Sequence, residues 1–277
     1  MKDIKLFKIA CLFVCCTLFT SCAEEVIDVE LETAPPKLVI DASIDWVKNT
    51  TGNQQKIILS TSTGYYNAEF PTVSDASISI TNSQNINFVF TETSNAGEYV
   101  CTNFDPMIGE TYTLTVLLNG ETYKATETLM EVPLIDEEII QNSTGGVTGD
   151  EMEIQFSFQD IANQENYYMT GIKSTRIAYP EYNLESDERY EGKKMTQFYS
   201  NKDFKPGDQM EIKLYGSSKR FFTYFKKIIL ATGNDDGPFA TTPTAVRGNI
   251  VNQTNSSNFP YGYFRLSEVD VKNYTIK

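Results

Sequence analysis

The sequence predicts an all-β protein: an N-terminal immunoglobulin-like β-sandwich, then a larger β-domain holding one amphipathic helix. Three observations carry this. Apolar residues recur at every second position through most of the chain, which marks strands buried on one face. The pair Asn119-Gly120 stands between two such runs and is the strongest short-range hairpin signal. One segment only, near residues 218–232, spaces its apolar residues helically.

The elements follow in order from residue 37. In "KLVIDASID", Leu38, Ile40, Ala42 and Ile44 share a face. "ASISI" and "INFVF" continue the alternation with Ile78 and Ile80, then Ile86, Phe88 and Phe90; "GEYVCT" places Tyr99 and Cys101 together. In "TYTLTVLLNGETYKATETL", a two-residue type I′ loop at Asn119-Gly120 pairs Leu118 with Glu121, Val116 with Tyr123, and Leu114 with Ala125. Thr115 with Lys124 and Thr113 with Thr126 then form the wet face. About seven short strands fit between residues 37 and 129, the count of a sandwich without the Cys–Trp–Cys signature.

Glu131-Val132-Pro133 and "NSTGGVTGD" are linker and turn chemistry, so the sandwich is expected over 37–131 and the second domain over 134–277. "EMEIQFSFQD" alternates, with Met152, Ile154, Phe156 and Phe158 on one side. "NYYMTGI", "KKMTQFY", "QMEIKLY", "TAVRGNIV" and "GYFRLSEVDV" read as further strands. In "SSKRFFTYFKKIILATG", Phe221, Phe225, Ile228 and Ile229 lie at helical spacing, Ser217 or Ser218 can cap, and Gly233 can terminate.

The first 36 residues set the compartment. Lys2, Lys5 and Lys8 precede an apolar run over 9–19, and Thr20 and Ser21 follow, the layout of a secretory leader over 1–21. The run is shorter than the ~20 residues of a membrane span. "LFTSC" places Cys22 directly after the small residues. Here the chain resembles a bacterial lipoprotein precursor, with Phe19 where that family usually has leucine. The resemblance implies cleavage before Cys22, a diacylglyceryl thioether on its sulfur and a fatty acyl group such as palmitate on its amino group. Residues 22–36 are acidic and end in Pro35-Pro36, which favours an extended tether. Glu24 and Glu25 resemble the acidic surface-export signal that follows the lipidated cysteine in Bacteroidota.

Composition excludes several chemistries. Histidine is absent, which removes serine–histidine and cysteine–histidine catalysis and histidine metal sites. Of five cysteines, Cys11, Cys15 and Cys16 leave with the leader. With Cys22 acylated, Cys101 stands alone and reads as a small buried hydrophobe. A net charge of −14 disfavours nucleic acid, which needs a basic face. No motif sets an acid and a base together, Asp187-Glu188 reads as a solvated face, and no enzyme activity or cofactor is expected. Asn234, Asp235 and Asp236 offer oxygen ligands of the kind calcium loops use, but the distal glutamate is missing and a plain turn is the simpler reading. "NFPYGYFRL" carries Phe259, Tyr261, Tyr263 and Phe264, either core aromatics or a stacking platform.

"SDASISI…GEYVCTNFDPMIGETYTLTV" resembles small sandwich modules appended to bacterial outer-membrane receptors. "CAEEVIDVELETAPPKLVIDASI", "IQFSFQDIANQENYYMTGI", "GNDDGPFA" and "AVRGNIVNQTNSSNFPYGYFRLSEV" are similar to an uncharacterised family of Bacteroidota lipoproteins that commonly accompany TonB-dependent receptors. The resemblance implies a lipid-anchored outer-membrane protein facing the cell exterior, acting as accessory or cargo-binding partner of such a receptor. The alternative is a structural or assembly lipoprotein of the envelope without small-molecule cargo.

Overall fold

Residue alternation builds the first layer pair. The computed structural model describes residues 35–64, 67, 69–232 and 245–277. Strands β1 (Leu38–Val47), β2 (Gln55–Thr61) and β5 (Glu98–Cys101) form one sheet; β3 (Ser77–Thr81), β4 (Asn87–Glu92), β6 (Thr111–Leu118) and β7 (Glu121–Thr128) form the facing one, in the order β4-β3-β6-β7. The two join where Thr91 and Glu92 meet Val100 and Tyr99. Ile40, Ala42, Ile44, Ile57, Leu59, Tyr99 and Cys101 of the first sheet bury against Ile78, Ile80, Phe88, Phe90, Leu114 and Val116 of the second. This is an immunoglobulin-like sandwich.

The hairpin register is the expected one: Leu118 faces Glu121, Val116 faces Tyr123, and Leu114 faces Ala125. Asn119 (φ 50°) and Gly120 (φ 77°) both adopt the left-handed backbone of a type I′ turn. Tyr112 closes the other end of β6 as a tyrosine corner: its hydroxyl donates to Asp105 O (2.7 Å) and accepts from Met107 N (3.0 Å). Burial holds this phenol up to about 12.

The second half is also layered. Strands β8 (Ile140–Gly145), β9 (Glu151–Gln159) and β12 (Lys194–Asn201) form a three-stranded sheet in the order β12-β9-β8. It covers one face of a larger sheet that contains β10 (Tyr167–Ser174), β11 (Glu181–Ser186), β13 (Gln209–Ser217) and β15 (Tyr261–Thr275), with Ile154, Phe156, Phe158, Tyr168, Ile212 and Leu214 between them. Helix α1 (Lys219–Ala231) starts where Phe221 N donates to the Ser218 hydroxyl (3.1 Å), a side-chain N-cap. It packs on the opposite face through Phe221, Tyr224 and Phe225.

The boundary expected at 131–134 needs a correction. β15 is 15 residues long. Its first part runs parallel to β1, from Val39 opposite Tyr261 to Val47 opposite Val269; its second part runs antiparallel to β13, from Val269 opposite Tyr215 to Thr275 opposite Gln209. Phe264 and Leu266 therefore belong to the first core, as does Ile250. Residues 36–277 form one compact unit. The linker is pinned as well: Glu268 Oε2 accepts from Val132 N (3.0 Å) and from Lys48 Nζ (2.7 Å).

Two smaller expectations also change. Ile86 lies outside β4 and is 47% exposed; the Asn82 side chain accepts its N–H and closes a turn before the strand begins. "TAVRGNIV" yields only β14 (Val251–Asn252), paired to β7 at Lys124 and Tyr123. The leader (1–21), Cys22, Glu24, Glu25, the tether to residue 34, Gly233, Asp235 and Asp236 lie outside the described residues.

Candidate binding cavity beneath the helix

The two-residue period that fills the first core also builds a site on the reverse of the same strands. On β1, Ile40, Ala42 and Ile44 point inward, so Asp41, Ser43 and Asp45 point out. On β15, Phe264 and Leu266 point inward, so Tyr263, Arg265 and Ser267 point out. The parallel register sets Asp41 opposite Tyr263, Ser43 opposite Arg265, and Asp45 opposite Ser267. Helix α1 roofs this polar strip with its apolar face. Between them lies a cavity of about 440 Å³, floored by Asp41, Ser43, Asp45 and Arg265 and roofed by Phe221, Tyr224, Phe225 and Ile228. Gly262 sits at its edge at φ 98°, and a Cβ there would come within 2.0 Å of Ile40 O; only glycine allows β15 to approach β1 at this point.

Arg265 is the charged centre. It is 6% exposed. Nη1 donates to Ser267 Oγ (2.7 Å) and lies 2.8 Å from Asp45 Oδ1. The guanidinium stands 5.0 Å from the Tyr215 ring centroid and 5.3 Å from that of Phe221, within cation–π range. Burial works against its charge, but the Asp45 carboxylate outweighs it, and the net shift of the Arg265 pKa is upward. Asp45 Oδ1 is shielded from solvent, and the Arg265 guanidinium at 2.8 Å is its partner.

The aromatic walls are mutually braced. Phe221 meets the Tyr263 ring edge-on at 5.1 Å and stacks on Phe225 at 5.4 Å; Tyr182 meets Phe225 edge-on at 5.7 Å; Tyr224 lies 4.7 Å from Tyr263. The Tyr263 hydroxyl donates to Glu127 Oε2 (2.9 Å). Burial raises the phenols of Tyr215, Tyr224 and Tyr263, reinforced by Asp45, Asp41 and Glu127 respectively. All three stay protonated at neutral pH and serve as walls, not as bases, with Tyr263 also a donor.

The other flank of α1 has the opposite character. Lys219, Arg220, Lys227 and Arg247 line a recess of about 490 Å³ that shares Tyr224 and Tyr263 with the first cavity. Tyr224 and Tyr263 thus divide an acidic, aromatic hollow from a basic one.

Of the other residues singled out from sequence, Cys101 is buried, its thiol raised by burial, with Sγ donating to Asn103 Oδ1 (3.2 Å). Phe264 is core, Tyr263 is cavity wall, and Phe259 is sandwiched by cations, with Arg247 at 3.6 Å and Lys37 Nζ at 4.2 Å from its ring centroid. Asp187 corrects the expectation of a solvated face. It is 3% exposed, close to Asp160 and Glu191, and one carboxylate oxygen of each lies within 4.8 Å of the others. Each carboxylate already accepts from a fixed donor: Asp160 from Tyr168 OH (2.6 Å) and Gly192 N (2.7 Å), Asp187 from Asn166 N (2.8 Å), and Glu191 from Asn163 N (2.5 Å).

Arg265 and Asp45 were missed by sequence reasoning, although one signal was present. "YFRLSEV" sets an arginine inside a near-continuous apolar run, and a buried arginine requires a counter-charge.

No curated protein gives a significant match to the sequence. Among solved structures, similarity is seen to a DUF4785 family protein from Legionella pneumophila (8% identity, TM-score 0.26, 65% of this chain and 52% of that one). It is also seen to a cytokine receptor complex (7%, 0.27, 67% and 86%) and to a two-domain fibronectin type-III segment of chicken tenascin (10%, 0.22, 65% and 90%). This chain therefore spans about half of the Legionella protein. The model of the family described as a domain of unknown function, DUF4249, matches residues 24–273, nearly the whole length over which the sheets and the cavity are built, and the chain is a member of that family.

Proposed function

We propose that this protein is a non-enzymatic, lipid-anchored component of a bacterial outer membrane, facing the cell exterior, that binds a small-molecule cargo and works as accessory to a TonB-dependent receptor. The observation that carries the binding part is the cavity beneath α1. A concave hollow with aromatic walls and a few convergent polar groups is the usual form of a ligand site. The anchor rests on the leader and Cys22, and the outward orientation on Glu24 and Glu25. Two or more acyl chains on Cys22 hold a protein to a bilayer without help from the fold, at about 0.8 kcal/mol per buried methylene.

A protein partner is further supported at the open edges of the second half, where Tyr190 and Phe198 line a shallow recess with Asn183 and Gln197 and are largely exposed. The same recess is what an envelope assembly protein without cargo would use, and that is the second reading.

Mild-detergent purification of the tagged full-length protein from its native membranes tests the partner. Recovery of a TonB-dependent receptor is expected; repeated recovery of the bait alone overturns that part. Metabolic labelling with palmitate tests the anchor, and Cys22→Ala should abolish both the label and membrane retention.

A further inference from the structure

The cavity beneath α1 differs from an anion site in its charge balance. Its one guanidinium, Arg265, is already engaged by Ser267 Oγ, by Asp45 and by the faces of Tyr215 and Phe221. Asp45 neutralises it. Asp41 then adds a second carboxylate, oriented by the Ser43 hydroxyl, which donates to its Oδ1 (2.9 Å). The floor as a whole therefore carries one negative charge more than positive. Asp45 Oδ1 is shielded from solvent beside that guanidinium. The cavity walls are ring faces and edges from Tyr182, Tyr224 and Phe225.

An incoming carboxylate would meet Asp41 and Asp45 and find no free cation among the described lining residues. A protonated amine meets the reverse: two carboxylates, and π-faces that attract a cation once water is displaced. We propose that the cavity takes an organic ammonium compound, its N–H groups directed to Asp45 and Asp41 and its apolar body held against Phe225 and Tyr182. This rests on the reading of the cavity as a cargo site. The basic recess across Tyr224 and Tyr263 supplies the opposite field on the far side of the wall, so the hollow discriminates by charge rather than by size alone.

Calorimetry on the full mature chain tests this with three probes of similar bulk: phenethylamine, phenylacetate and glucose. Phenethylamine should bind and raise the melting temperature, with phenylacetate and glucose weaker by about tenfold or more. Asp41→Asn, which leaves the Arg265 partner in place, should weaken amine binding several-fold, and Asp45→Asn should weaken it further. Because Asp45→Asn also unpairs Arg265, its fold is checked by circular dichroism, and Phe225→Leu supplies an independent loss of the ring face. Phenylacetate or glucose binding as well as the amine overturns the ammonium assignment while leaving a cargo site. Amine binding unchanged in Asp41→Asn and Phe225→Leu overturns the assignment to this cavity. A flat response to all three probes overturns the ammonium assignment altogether. The wider reading is judged separately by receptor capture, which does not depend on the cavity.

Discussion

The two faces of β1 and β15 invite comparison, since the same strands carry both. The inner face is Ile40, Ala42, Ile44, Phe264 and Leu266, fully buried and apolar. The outer face is Asp41, Ser43, Asp45, Tyr263 and Arg265, lying beneath α1, with Tyr263 and Arg265 buried and Asp41 still open to solvent. The inner face needs no explanation beyond apolar burial, at about 25 cal/mol per Å². The outer face does need one, because a buried ion pair is often no more stabilising than well-packed apolar residues of the same volume. A fold concerned only with stability would have filled the space beneath the helix with leucine. The contrast teaches that packing accounts for one side of these strands, while the charged side is what the proposed cargo site accounts for.

The largest effect is expected on the inner face. Phe264→Ala removes a fully buried ring from the strand that both halves share, at about 3–5 kcal/mol. Because β15 pairs with β1 and with β13, the loss should reach both halves. Trp46 is the only tryptophan and packs against the first core. Its fluorescence and the far-ultraviolet circular dichroism should therefore give coincident urea transitions in wild type and variant alike. Separated transitions would show that β15 does not unite the halves.

Next comes the outer face. Arg265→Met leaves Asp45 without its cation and should cost toward the lower end of about 3–5 kcal/mol, because the Asp45 side chain keeps 37% of its surface exposed. Adding Asp45→Leu should restore most of that stability while abolishing amine binding. Failure of the double variant to recover would mean that the pair is structural, and the comparison between faces would collapse.

The legibility of the sequence followed the same division. The hairpin at Asn119-Gly120 was readable to the residue because turn chemistry and register are local. The helix was readable because one segment switched period and carried a capping serine. The sandwich boundary was not, because β15 returns to β1 from the far end of the chain, and alternation says nothing about which strands pair. The candidate site was hidden by the very rule that found the core. Asp41, Ser43 and Asp45 alternate with Ile40, Ala42 and Ile44, and polar alternates read as solvent-facing unless another element is known to cover them. Asp187 was misplaced for a related reason: acidity suggested exposure, and only the fold brings Asn166 N to it.

Within the sandwich, smaller effects test how far local features act alone. Tyr112→Phe removes the hydroxyl that joins Asp105 O to Met107 N and should cost about 1–3 kcal/mol, read as a lower urea midpoint. Gly120→Ala should cost about 1–2 kcal/mol. At φ 77° an added Cβ meets no atom within 4 Å, so the penalty is backbone strain and nothing else. A larger loss would mean that the turn is crowded by something beyond its own backbone.

The smallest effect, and the one whose sign is most informative, concerns Asp187 in the second half. Burial raises its carboxyl pKa above the ordinary 3.8, with Asp160 and Glu191 adding to the rise against the Asn166 N–H. The folded protein therefore holds this proton to higher pH than the unfolded chain does. Its contribution to stability is greatest below the ordinary value of 3.8 and is lost as pH rises through the higher folded value. Glu92, Glu98, Glu121 and Asp208 are shifted down by their hydrogen bonds and act in the opposite sense, losing stability as pH falls. A melting curve against pH mixes the two classes, so the comparison must be between wild type and Asp187→Asn. The amide is neutral at every pH and presents a similar oxygen to Asn166 N. The variant should match wild type at low pH and become relatively more stable as pH climbs above the ordinary aspartate range. An Asp187→Asn protein that instead loses ground as pH rises would mean that the charged carboxylate is favoured by the fold, and the acidic trio would then have to be read as holding its charge for a partner.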